Sequence, residues 1–488
     1  MEDGNCYQIH TSDGGHEADG TWTLGAPLSC DSPGGLSYTD QSERLPPSLN
    51  ENLADERGEV ALVGRRLFLT TGDRGLTWID LETGEKGWDH FGLTFLTMAF
   101  GDLDADGLID LVLAGEGLTI VYAWGTEQQA EEELIPKGTW ELGRAIFEIV
   151  VADLDHDGDA DLFAGLNNSS HDPEENRSAV FWNEGGRFSS EPTLAGGDSE
   201  RWGMSFDAVA LDLDGDGDLD LYECNDRGID VGPNTWILND GQGGLEAVDG
   251  AGADIRLGCM SVSFADLNQD GVLDLYLGGT RDHWSLTRLG EFWVDSSAST
   301  LEPLAIEQMV WGSAITDLDN DGIPEIIAGT GAFVGIDPTP WPLYVASRDP
   351  DGVWREGLEN LEFPELTGSR AVLARDLNQD GVLDLVAGDS GHAGWLLMSD
   401  GCTANNWLEI EAPTGTVATV ESKGGSQTVL ITDEPGYGAW APPSAHVGLG
   451  SDEQVDRIVL DIPWEGRVTL EGPIDTRQVV RFEPESRL

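Results

Sequence analysis

Six short acidic loops of one pattern recur along the chain, and their spacing suits a hard cation. In the first, Asp102, Asp104 and Asp106 hold positions one, three and five, Gly107 position six and Asp110 position nine. The same register gives Asp153, Asp155, Asp157 and Asp161, then Asp212, Asp214, Asp216 and Asp220, then Asp266, Asn268, Asp270 and Asp274. The last two sets are Asp317, Asp319, Asp321 and Glu325, and Asp376, Asn378, Asp380 and Asp384. Calcium takes six to eight oxygens at about 2.3–2.6 Å. Alternate residues at positions one, three and five can aim side-chain oxygens at one centre. Glycine at six permits the reversal that presents the carbonyl of position seven, here Leu108, Asp159, Asp218, Val272, Ile323 and Val382. The carboxylate at nine closes the shell. One such loop alone would pass for a solvated acidic turn; six with the glycine in register point to about six Ca²⁺ sites.

An EF-hand needs a bidentate carboxylate at position twelve and a helix on each side. Position twelve is Leu113, Ala164, Glu223, Leu277, Ala328 and Ala387, so a single copy fits. The flanks are short apolar or alternating runs bounded by Gly and Asp. Ile146 to Ala152 and Met260 to Ala265 lie upstream of two loops; Asp110 to Ala114 and Asp274 to Gly278 lie downstream of two. Such runs read as strands, so each loop joins two antiparallel strands.

The loops start at intervals of 51–59 residues, a period that marks a repeat architecture. Each unit has room for the hairpin and two weaker strands, such as Ala179 to Trp182 and Asn234 to Leu238. A four-stranded unit of this length is a propeller blade. A further blade lacking the loop is expected ahead of the first copy, from Glu59 to Gly64, Arg66 to Thr71 and Thr77 to Asp80. An N-terminal strand near Leu36 to Thr39 is expected to complete the last blade and close the ring. The fold expected is all-β: a seven-bladed β-propeller with calcium loops in six blades, followed by a small β-rich C-terminal domain. Its divisions are a flexible segment at 1–35, the propeller at 36–402 and the C-terminal domain at 403–488.

The repeat resembles the FG-GAP or VCBS blade of the integrin α-chain head, most clearly at Trp202-Gly203 followed by the run from Val209 to Tyr222. The resemblance covers roughly 58–402 and implies that the calcium loops are structural staples. The segment after it carries Asn406 to Ile410, Gly424 to Gln427, Gly436-Tyr437, His446 to Gly450, Val455-Asp456 and Gln478. That order is similar to the ASPIC/UnbV domain, which follows such propellers in cartilage acidic protein and its bacterial relatives. The usual Trp-Pro-x-Gly turn is replaced by Ile462-Pro463-Trp464-Glu465-Gly466, which implies a kept hairpin with altered packing.

Net charge is −66, from 91 acidic and 25 basic residues. Nucleic acid is disfavoured, because it needs a basic footprint, and so is an anionic membrane surface. No apolar run is long enough to span a membrane. Five cysteines, Cys6, Cys30, Cys224, Cys259 and Cys402, form no Cys-x-x-Cys pair. Two disulfides and a free thiol are one reading: Cys224 with Cys259, and Cys6 with Cys30 or Cys30 with Cys402. Reduced core thiols are the other. Calcium and disulfides together suggest an extracellular or periplasmic setting, with a targeting segment expected to have been removed.

If calcium loops occupy one face of the ring, the connections between strands two and three reach the other. These are the segments 167–177, 225–234, 280–286, 330–343 and 389–395. They offer Arg227, Asp230, Arg281, Trp284, Trp341 and Trp395 as ligand-binding candidates. A glycan, a protein or a small hydrophobic ligand would suit them, although blade packing explains a Trp equally well. The leading function is a non-catalytic, calcium-stabilised binding or adhesion protein. The alternative is a lyase or cyclase at the central mouth, for which Asp282, His283, Arg370 and His392 are the acid–base candidates. A third reading makes the C-terminal domain the ligand reader, through His446 and Trp464.

Overall fold

The computed structural model describes residues 6–7, 20–24, 36–46, 58–71, 75–90, 95–115, 117–121, 138–141, 145–167, 176–197, 203–280, 282–300, 309–331, 341–349, 352–357, 365–366, 369–389, 394–399, 401, 403–433 and 435–484. Strands dominate, in antiparallel four-stranded sheets that follow chain order. The first sheet is Val60–Val63, Arg66–Thr71, Gly75–Asp80 and Lys86–His90. The second begins with Phe95–Gly101, the third with Ile146–Ala152 and the fourth with Met204–Leu211. The fifth begins with Cys259–Ala265, the sixth with Met309–Thr316 and the seventh with Ser369–Arg375. Tyr38–Asp40 pairs with Trp395–Ser399 as the outer strand of the seventh sheet, where the sequence reading put an N-terminal closing strand.

These opening strands are buried almost residue for residue, because neighbouring sheets cover both faces. Adjacent sheets share cores in an unbroken circuit. Ala99 and Val112 of the second pack with Ile149 and Leu162 of the third, and Val150 and Phe163 of the third with Ala208 and Leu221 of the fourth. Fourth and fifth meet through Val209, Tyr222, Val262 and Leu275, fifth and sixth through Tyr276 and Ile326, sixth and seventh through Ile327 and Leu385. Val60 and Leu69 of the first then pack on Leu373 and Val386 of the seventh, and Phe68 on Phe100 of the second. The sheets therefore circle one axis as a β-propeller, with the opening strands innermost. A disulfide joins Cys224 to Cys259 across the fourth and fifth sheets. Cys30 and Cys402 lie outside the described residues.

The C-terminal domain is two sheets around one core. One holds Asn406–Glu411, Ser444–Gly450 and Gln478–Pro484; the other holds Val417–Ser422, Gly425–Leu430, Gln454–Ile462 and Gly466–Asp475. Leu408, Ile410, Val420, Ile458, Leu460 and Val480 fill the space between them. Cys6–Tyr7 and Gly20–Leu24 extend the first of these sheets through Gln478–Pro484. Both strands fall within 1–35, whose polar, Gly-rich composition does not announce them. Among the described residues no helix is long and apolar enough to cross a membrane.

Candidate metal centres and the covered loop face

Each acidic loop joins the first and second strands of its sheet, as the spacing predicts. Glycine at position six is required by its left-handed backbone, φ 82° at Gly107 and 98° at Gly217. In five loops the carboxylate at position one accepts the backbone N–H groups of positions five and six, as Asp102 does from Asp106 and Gly107 at 3.0 and 2.9 Å; in the third, Asp212 accepts those of Gly215 and Gly217. The carboxylate at nine is buried: Asp110, Asp161, Asp220, Asp274 and Asp384 are 0–1 % exposed and Glu325 2 %. One oxygen of Asp161, Asp220 or Asp384 accepts the N–H of position two, and the other accepts an N–H at the end of the third strand or, for Asn183, just past it.

The third strand carries the tie onward. Asn183 donates to Leu103 O in the loop of the preceding sheet, Asn239 to Leu154 O and Arg288 to Leu213 O. Loop shape in one sheet is thereby coupled to its neighbour. No residue-type rule marks these donors, and the sequence reading missed them.

Four loops bring three carboxylates within 4.8 Å of one another: Asp102, Asp104 and Asp110; Asp153, Asp155 and Asp161; Asp212, Asp214 and Asp220; Asp317, Asp319 and Glu325. In the other two an Asn amide, Asn268 or Asn378, holds position three. One oxygen of the Asp at position five accepts the N–H of position seven, at Leu108, Asp159, Asp218, Val272, Ile323 and Val382; in the sixth loop the other oxygen of Asp380 accepts from Asn378 Nδ2 at 2.9 Å. Two further signs fit a cation. Asp104 Oδ1 and Asp155 Oδ1 are buried with no hydrogen-bond partner among the described residues. Burial raises the carboxyls of Asp161, Asp220, Asp274 and Asp384 to about 7, and lifts Asp317 and Glu325 well above the carboxylate range, with neighbouring carboxylates adding to each rise. Groups so placed hold either protons or a metal. These oxygen-rich clusters can hold a hard divalent ion.

The C-terminal domain sits on this loop face. Trp464 N–H donates to Gly217 O at 2.7 Å, Trp464 Nε1 donates to Asp153 O at 3.0 Å, and the ring stacks on His156. The altered Ile462-Pro463-Trp464 turn is what wedges this ring between the second and third loops. Thr428 Oγ1 donates to Gly271 O in the fourth loop, and Asn405 Nδ2 to Asp319 O in the fifth. Trp407 lies over Gly381 of the sixth, where an added Cβ would stand 2.1 Å from its indole nitrogen. Asn320 Nδ2 donates to Gly381 O, so Asn320 Oδ1 is the acceptor that takes His446 Nε2–H at 2.6 Å. A cavity of about 1020 Å³, its open mouth included, remains at this junction, lined by Phe264, Ile315, Arg375, Gln427, Thr428 and His446 among others.

A segment of the same domain threads the axis. Ala439–Trp440 pairs in parallel with the start of Val60–Val63. Tyr437 packs with Phe206, Met260, Met309 and Trp311, at the end of the inner strands remote from the loops, and Phe147 packs against the same cluster. Gly436 passes so close that a Cβ would lie 1.9 Å from Ser313 O. The central mouth is filled, not open.

Among the described residues of the predicted acid–base grouping, Arg370 lies apart from Asp282 and His283. Arg370 is buried, its guanidinium 3.4 Å over the Trp311 ring, so packing accounts for it. Asp282 is exposed and His283 faces Tyr276 at 3.4 Å, both in the fifth sheet, with the sixth between them and Arg370. His392 and Arg281 lie outside the described residues, as does the Trp341 side chain. Trp284 packs on the core of the fourth and fifth sheets, and Trp395 on that of the sixth and seventh. Arg227 and Asp230 stay at the surface, 3.9 Å apart.

Among curated proteins none matches the chain. The family described as FG-GAP-like repeat matches residues 102–164, 212–277 and 317–387. An Agrocybe aegerita lectin that recognises non-reducing terminal N-acetylglucosamine is a similar solved structure: 16% identity, 76% of this chain, 94% of that one and a TM-score of 0.40. BBS1N, in complex with ARL6DN, gives 11% identity, 77% and 96% coverage and a TM-score of 0.42. The Myceliophteria thermophila Cps50 (Swd1) β-propeller domain gives 12%, 69% and 93%, and 0.41. At scores this low the likenesses add no weight to the sheet order itself. The sheet order makes the chain a β-propeller, and three stretches of it match the FG-GAP-like repeat.

Proposed function

We propose that this chain is a seven-bladed, calcium-stabilised propeller that binds a partner and does not turn over a substrate. Ca²⁺ in six loops fixes the corners of the blades. The C-terminal domain, read as an ASPIC/UnbV module, covers the loop face, which leaves the opposite face for recognition of a glycan, a protein or a small molecule. The observation that carries this reading is the filled axis, where Tyr437, Phe206, Met260 and Trp311 occupy the place a central active site would need. An extracellular or periplasmic setting is part of the proposal, supported by the Cys224–Cys259 disulfide and by oxygen sites that fill where calcium is abundant.

The test is a glycan array and a surface-protein capture screen, run with calcium and with chelator, on the parent and on Arg227→Ala/Asp230→Ala. Calcium-dependent binding that weakens in the double variant supports the reading. Release of unsaturated sugar products from a polysaccharide panel would replace it with the lyase alternative.

A further inference from the structure

We propose that the C-terminal domain seals the fifth and sixth metal loops, so that ion retention there and docking of the domain are thermodynamically linked. The proposal rests on the calcium reading above and goes beyond it, because it divides the six sites into two kinetic classes.

The atoms that hold the domain belong to the loops themselves. Asp319 O accepts from Asn405 Nδ2, Asn320 O from Gly450 N–H at 2.8 Å and Asn320 Oδ1 from His446 Nε2–H. Gly448 lies so close that a Cβ would stand 2.0 Å from Asp317 Oδ2. These acceptors belong to a loop that would wind around the ion, with Asn320 held at φ 61° between Asp319 and Asp321. Asn320 is fully buried and also bonds Gly381 O, so the fifth and sixth loops share one latch. Trp407 and the stacked His446 ring cover Gly381 and Asn320 from above.

The first loop is the contrast. Ala105, Asp106, Gly107 and Leu108 are exposed, Leu108 at 42 %. An ion there can leave directly to water. An ion in the fifth loop must wait for the domain to lift. Linkage makes the effect reciprocal: whatever the docked domain adds to ion affinity, the ions return to docking. Trp464 reaches the second and third loops through main-chain oxygens and a stack on His156, and Thr428 reaches the fourth through Gly271 O; these contacts lack the Asn320–His446 latch, so those three sites release with the first.

The experiment loads the full chain with calcium and mixes it rapidly with an excess of a fluorescent chelator. Parent protein is expected to release calcium in a fast phase and a distinct slow phase of about two ions. Asn405→Ala and His446→Ala should each speed the slow phase about tenfold, the size of one buried hydrogen bond, and leave the fast phase alone. Asn405 is half-buried in a turn, so its variant decides the matter if the His446 variant fails to fold. Hydrogen exchange supplies the reciprocal arm, in which chelation should open 406–411 and 444–450 before the propeller strands. A single release phase in the parent, or a slow phase unmoved in the Asn405 variant, overturns the linkage and leaves the calcium reading standing. No bound calcium at all would overturn the calcium reading beneath it.

Discussion

Asp220 and Asp216 belong to one loop and separate its two roles. Asp220 is fully buried and accepts the N–H groups of Leu213 and Asn239 at 2.9 and 2.8 Å. Asp220→Ala strands both donors away from water. A buried unsatisfied donor costs about 1–3 kcal/mol, so the loss is about 2–6 kcal/mol whether or not metal is present. Asp216 is exposed and accepts the Asp218 N–H at 3.0 Å. Water can replace that bond, so Asp216→Ala in chelator should stay within about 0.5 kcal/mol of the parent. With calcium present it loses a ligand, and a tenfold loss of affinity appears as about 1.4 kcal/mol less stabilisation. The assay is urea unfolding followed by near-ultraviolet circular dichroism, in millimolar calcium and in chelator. Asp216→Ala costing as much in chelator as in calcium would refute the assignment. So would Asp220→Ala costing less than about 1 kcal/mol in chelator.

The chelated protein should lose stability as pH rises from about 4 to about 7, because Asp161, Asp220, Asp274 and Asp384 bind protons more tightly folded than unfolded. Calcium affinity should rise over the same window as protons leave, and isothermal titration at three pH values reads both trends. Trp464→Ala should raise proteolytic release of the C-terminal domain without lowering the calcium stoichiometry, since the indole bonds only main-chain oxygen. Reducing Cys224–Cys259, which closes 35 residues, should cost about 3–4 kcal/mol by loop entropy, seen as a lower unfolding midpoint under reductant. The first sheet replaces a metal loop with Arg65, whose guanidinium meets Asp80 at 3.3 Å. Chelation should leave hydrogen exchange at 60–71 less changed than at 146–166.

The loops were legible because ion binding imposes residue type and spacing together: oxygen donors at alternate positions and a glycine where φ is positive. The blades were legible because strands covered on both faces keep runs such as Ile146–Ala152 apolar. Cys224–Cys259 was visible as one pairing among several, since the second strand of one repeat and the first strand of the next bring them near each other. The docked C-terminal domain was not legible. Its contacts use main-chain oxygens of Asp153, Gly217, Gly271 and Asp319, which carry no residue-type signal. Only Trp464 and His446 hint at it, and in the structure both bond the propeller loops. Arg370 misled for the opposite reason. A charged residue near a mouth resembles chemistry, yet its guanidinium fills the axis against Trp311.

Divalent ions shaping the corners of a closed ring are the centre of the account. Metal content answers it directly: the chain is stripped with chelator, dialysed against calcium with magnesium in excess, and its bound metal counted by mass spectrometry of the intact protein. About six calcium ions per chain are expected, with a higher unfolding midpoint than the stripped form. A chain that keeps no calcium, or melts at the same temperature with and without it, would contradict it.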